Sequence, residues 1–266
     1  MHKVISAGVA LVIVVAVAGG ASVASADHAW GPYHWARTAN PFTVKLGDNV
    51  SGTWDAVLAT ASADWTLSSV LDTQIVPGKN IRSPKTCRPK AGQGEVCNAK
   101  YGNNGWLGIA SIWVSGDHIT QGTVKLNDTY FSTATYNTSA WRNLVMCQEV
   151  GHIFGLDHQD EAFGNANLGT CMDYTNDPAS NQHPNAHDYE MLETIYAHLD
   201  TTTTASQSIA SSRMPDINVE DRGQWGREIR RSADGRASLF ERDLGHGRKV
   251  FTHVFWAEEQ EHADYQ

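Results

Sequence analysis

Twelve consecutive residues constrain this chain more than any other stretch: Cys147-Gln148-Glu149-Val150-Gly151-His152-Ile153-Phe154-Gly155-Leu156-Asp157-His158. With residues 140–154 helical, Gln148 and His152 stand one turn apart on the same face. Gly155 then lets the chain leave the helix through a backbone conformation that other residues resist, so that His158 swings back toward His152. Glu149 falls beside the point where these side chains converge. Zinc favours imidazole nitrogens, and a catalytic zinc site uses three protein ligands and keeps one position for water. A carboxylate at the position of Glu149 can take a proton from that water. The expected metal set is therefore Gln148, His152 and His158 around Zn2+, with Glu149 as general base.

Gln148 offers an amide oxygen, a harder and weaker zinc ligand than imidazole. Three outcomes stay open. Gln148 binds through that oxygen; or another residue, Tyr174 or one of the unplaced histidines, completes a site built on His152 and His158; or the fold is kept without catalysis. For His28, His34, His118, His183, His187 and His198, scattered through turns and polar segments, the first expectation is surface or hydrogen-bonded imidazole.

The first 26 residues read as a signal peptide: Lys3 precedes an apolar run from Val4 to Ala18, and Ala24-Ser25-Ala26 fits a small-residue cleavage site. Export, with no stable membrane anchoring after signal removal, is the expectation. Loss of Lys3 with the signal moves the formal charge from -9 to -10, and no basic cluster suits a nucleic-acid backbone. Four cysteines in an exported chain point to two disulfides. Three pairings are possible; Cys87–Cys97, closing a Pro/Gly-rich loop, with Cys147–Cys171 is favoured. Cysteine-bound zinc lacks the Cys-x-x-Cys spacing it would need.

The remaining chain reads as α+β. A strand at 41–46, a helix from Ser51 to about residue 70, a short strand at 73–76 and a long polar loop at 78–105 come first. Strands at 107–114 and 122–127 precede the motif helix, and a last helix covers 186–199. A Thr/Ser-rich linker at 201–215 separates a domain of residues 27–200 from a charged C-terminal segment, 216–266. There, Leu239–Arg242 and Lys249–Trp256 suggest a hairpin, which packs on something else because a lone hairpin is marginal.

Residues 147–174 resemble the metzincin group of zinc metallopeptidases, whose long zinc motif on a helix is followed by a methionine-containing turn. Glu149, His152, Gly155 and His158 occupy the expected offsets, and Cys171-Met172-Asp173-Tyr174 is similar to the turn. The resemblance implies a zincin-like domain with a twisted mixed sheet, an active-site helix and a C-terminal helix. It implies a secreted zinc metalloendopeptidase acting on protein or peptide substrates, with substrate extended along an edge strand, Leu107–Val114. Tyr174 stands where a tyrosine in astacin-like and serralysin-like members lies near zinc, as extra ligand or oxyanion stabiliser. The rival reading is an inactive binding or scaffolding protein with that fold.

Overall fold

The computed structural model describes residues 28–206, 214 and 217–257; the expected signal peptide lies outside them. In chain order the elements are β1 (His34–Trp35), β2 (Phe42–Asn49), α1 (Trp54–Trp65), β3 (Leu71–Pro77), β4 (Gln93–Ala99), β5 (Trp106–Ser115), β6 (His118–Asn127), α2 (Asp128–Phe131), α3 (Ser139–His152), α4 (Ala186–Ile195), β7 (Arg227–Arg231), β8 (Ala237–Gly245) and β9 (Arg248–Trp256). Among the described residues, no helix is long and apolar enough to cross a membrane.

The architecture is a mixed α+β fold built on one sheet, ordered β3-β2-β4-β6-β5-β9-β8-β7, with β1 pairing beside β6. The β2–β3, β2–β4 and β4–β6 pairs are parallel, and from β6 onward to β7 the pairing is antiparallel. The C-terminal hairpin does not stand apart. Its strand β9 lies along β5, with Ala110 opposite His253 and Ile112 opposite Phe251.

That pairing corrects one expectation. The strand read as a substrate-binding edge is internal, flanked by β6 and β9, so its backbone groups are already engaged. The physical reason is the two-sided apolar pattern of Val250-Phe251-Thr252-His253-Val254-Phe255. Side chains of successive strand residues point to opposite faces. Phe251 and Phe255 join the main core with Leu107, Ala110, Ile112 and α3, whereas Val254 and Val250 pack on the other face with Trp106, Ile109, Trp225 and with Trp113, Ile217, Val219. A strand with two apolar faces is stable only with both covered.

The stretch 78–105, read as loop, contains β4. Its sequence hides a strand because only Val96 and Gly94 face the main core, while the opposite face, also buried, carries Gln93 and Glu95. Glu95 is fully buried and accepts hydrogen bonds from Asn49 Nδ2 (2.7 Å), the Lys79 amide (2.9 Å) and Asn80 Nδ2 (3.2 Å), and from Gln93 Nε2. Cys87 is bonded to Cys97 and Cys147 to Cys171, the favoured pairing.

Two contacts fix α3 beneath the rest of the fold. The Trp65 indole donates to the Cys147 carbonyl at 3.1 Å, holding the end of α1 on α3. Thr138 caps the start of α3 by accepting from the Trp141 amide.

Candidate metal centre

α3 ends at His152, and the exit follows the route its sequence requires. Gly155 has φ +98°, and a Cβ there would lie 2.5 Å from the Tyr33 carbonyl oxygen. Only glycine reverses the chain so sharply against that neighbour. Gly151 serves a second close approach: a Cβ on it would stand 2.7 Å from both Met172 Sδ and Trp65 Cζ2. The methionine turn packs directly under the helix because that position is bare.

The imidazoles of His152 and His158 meet edge to face with ring centroids 4.7 Å apart. A third imidazole joins them from β9. His253 lies 4.0 Å from the His152 ring and 4.3 Å from the His158 ring. The three residues can each present a ring nitrogen such that all lie within 4.8 Å of one another. His253 reaches this point because it faces the same side of the sheet as its partner Ala110 and as Phe251 and Phe255. A strand at 249–256 was readable; its register against β5 was not.

Each ring is held from behind. His152 Nδ1 donates to the Leu156 carbonyl at 2.9 Å, which leaves the lone pair on Nε2. His158 Nδ1 lies 3.1 Å from Glu161 Oε1. The Nε2 atoms of both are buried without a hydrogen-bond partner, and so is His253 Nδ1. Burial holds His152 down at about 4 and holds His158 and His253 well below the ordinary imidazole range. Neutral rings with inward lone pairs are what a cation needs and what a protein core otherwise avoids.

Both carboxylate oxygens of Glu149 are also buried with no side-chain partner. Burial holds this carboxyl well above its usual range, opposed only by the Ala110 backbone. The approach is close: a Cβ on Gly108 would sit 2.5 Å from Glu149 Oε1. Gln148 is fully buried; its Nε2 donates to the Cys171 carbonyl at 2.7 Å, and its Oε1 has no partner. Tyr174 packs its ring 4.1 Å from that of His158 and places its hydroxyl 3.4 Å from His253 Nε2.

The N-terminal aromatics, which show no periodicity in sequence, form the wall of this centre. Trp30 stacks on His152 at 5.3 Å, and the Trp35 indole donates to the Ile153 carbonyl at 2.8 Å. Arg230 of β7 bridges Asp157 and Glu161 beside His158. The side chains of all three histidines are buried, His158 included.

No protein-family model matches the chain, and no curated protein matches it. Among solved structures it is similar to high choriolytic enzyme 1, a hatching enzyme zinc-protease from the medaka fish Oryzias latipes. The identity is 9% and the TM-score 0.36, over 62% of this chain and 94% of that one. A likeness so distant carries no weight here; the geometry of the centre does.

Proposed function

We propose that this chain is a secreted zinc-dependent endopeptidase whose metal is held by His152, His158 and His253, with Glu149 as the proton shuttle. One observation carries the reading: three neutral imidazoles meet in the core with ring nitrogens that no other residue satisfies, and the Glu149 carboxyl, one turn before His152 on α3, is buried without a side-chain partner. Burying that many unpaired groups costs several kcal/mol unless something occupies the space between them. A zinc ion fits the donor set. When bound, it polarises a carbonyl and lowers the pKa of a neighbouring water toward neutrality. Glu149 then takes the proton from that water and returns it to the leaving amine. Tyr174 offers a hydroxyl to the developing oxyanion. Gln148 stays a candidate ligand through its free amide oxygen.

A second reading follows from burial. His152, His253, Gln148 and Glu149 are all fully buried. If Gln148 binds beside the three histidines, coordination is complete and Glu149 has no water to act on. The metal then staples α3 to β9 in a protein that binds without cleaving.

Metal content and peptide turnover measured together separate the readings, for wild type, Glu149→Ala and Gln148→His. Stoichiometric zinc with turnover lost in Glu149→Ala supports the enzyme. Stoichiometric zinc without turnover in the wild type rejects it in favour of the stapled protein.

A further inference from the structure

A second group of ligand-type side chains lies outside this centre, and it comes from the histidines first read as ordinary surface residues. His34 on β1 and His118 at the start of β6 sit opposite one another in the sheet register. His198 and Asp200 follow α4 in sequence. Asp200 is the hub. Its Oδ2 accepts from the Arg37 backbone amide (3.2 Å) and guanidinium (2.9 Å), which fixes the carboxylate plane. Its Oδ1 lies 3.5 Å from His34 Nε2, 3.2 Å from His118 Nε2 and 3.8 Å from His198 Nε2. The Nε2 atoms of His34 and His198 are 3.2 Å apart.

The tautomer of His34 is set by its other nitrogen. Nδ1 lies 2.7 Å from the Pro32 carbonyl oxygen, which can only accept, so Nδ1 carries the proton. His34 Nε2 is thus the nitrogen that faces a carboxylate oxygen and a second imidazole. Such a set of donors can hold a proton or a cation among them. A tetrahedral zinc with bonds of about 2.0–2.1 Å holds its ligand atoms roughly 3.3 Å apart. The observed separations of 3.2, 3.5 and 3.8 Å bracket that value. His34 is anchored by a backbone carbonyl and Asp200 by an arginine, the supporting contacts that orient metal ligands. His34 is buried, whereas the side chains of His118 and His198 are 37% and 56% exposed, which leaves an entry path.

We propose that His34, His198 and Asp200 form a second site for a divalent transition-metal ion of the zinc type. Occupied, it ties β1 to the chain leaving α4. Its ligands are distinct from those of the buried centre, so it stands or falls independently of the peptidase reading.

The test uses the full mature chain, loaded with zinc, freed of excess ion and analysed for metal content and zinc affinity. The variants are His198→Ala, Asp200→Asn and, for the buried centre, His158→Ala; circular dichroism of the metal-free proteins checks folding. The expected result is one zinc retained by His158→Ala and weakened about tenfold or more by His198→Ala. His198→Ala is the decisive variant because its exposed side chain carries little of the fold. The proposal is overturned if the wild type loads no zinc that survives His158→Ala, or if His198→Ala binds as much zinc with unchanged affinity.

Discussion

Replacing His253 by alanine separates a metal set that includes β9 from one confined to residues 147–158. Structural zinc sites contribute about 10–16 kcal/mol through four ligands, so an even share is about 2.5–4 kcal/mol for each. At 1.4 kcal/mol per factor of ten, loss of one ligand weakens zinc binding by about 60- to 700-fold. Alanine also leaves a cavity among Trp30, His152 and His158, whose rings surround His253 at 4.0–5.9 Å. That cavity destabilises the fold by about 2–4 kcal/mol. His253→Gln, which keeps most of the volume, controls for it. Zinc affinity is read by competition with a chromophoric chelator at neutral pH, on protein whose circular dichroism matches wild type. Gln148→Ala, which removes a neutral amide oxygen together with the bond to the Cys171 carbonyl, is expected to weaken zinc binding about tenfold or less. A loss below about threefold in His253→Ala, alongside a large loss in Gln148→Ala, refutes the role of β9 and restores the set Gln148, His152 and His158.

Glu149→Gln is expected to retain zinc while peptide turnover falls by about 10²–10⁴, as read by single-turnover kinetics and metal analysis. Gly151→Ala forces a methyl group against Met172 and Trp65, both fully buried, and is expected to lower stability by about 1–3 kcal/mol in urea unfolding. Arg230→Met strips the buried Asp157 of its charged partner; with the Arg230 side chain 38% exposed, the cost falls to about 1–3 kcal/mol, visible as a lower melting temperature. On the outer strands, Lys249 and Arg227 hold the Glu241 carboxyl below its ordinary range. A depressed folded pKa gives stability that is complete above the ordinary carboxylate value and is lost as pH falls through the folded one. Melting temperatures from about pH 6 to about pH 3 are therefore expected to fall less steeply for Glu241→Gln than for wild type.

What could be read from the sequence was local. The offsets of Glu149, His152, Gly155 and His158 lie within two helical turns and one reversal, so periodicity alone brings the two histidines together. Met172 and Tyr174 are expected near these residues through the metzincin resemblance, and Cys147–Cys171 ties their turn to α3. Tertiary pairing escaped. β4 reads as loop because one of its two buried faces is built from Gln93, Glu95 and Cys97 and the other offers only Val96 as an aliphatic residue; the surrounding amides make the buried Glu95 tolerable. His253 looked like one polar residue within an apolar strand. On its own such a histidine needs no explanation; opposite Ala110, beneath α3, it is aimed at two others.

The placement of β9 also changes what the centre can accept. A peptide laid along β5 would need the backbone groups that β9 already uses, from Trp106 to Ser115. Substrate entry by strand addition at β5 and metal ligation by His253 therefore exclude one another, since displacing β9 removes the third imidazole. On the peptidase reading a peptide must instead enter without displacing β9. The His158 side chain is itself fully buried, flanked by Tyr174, on which Phe163 stacks at 4.7 Å, and by the Arg230 bridge to Asp157 and Glu161. A route that parts Phe163 and Arg230, both outside the proposed ligand set, keeps the three histidines together.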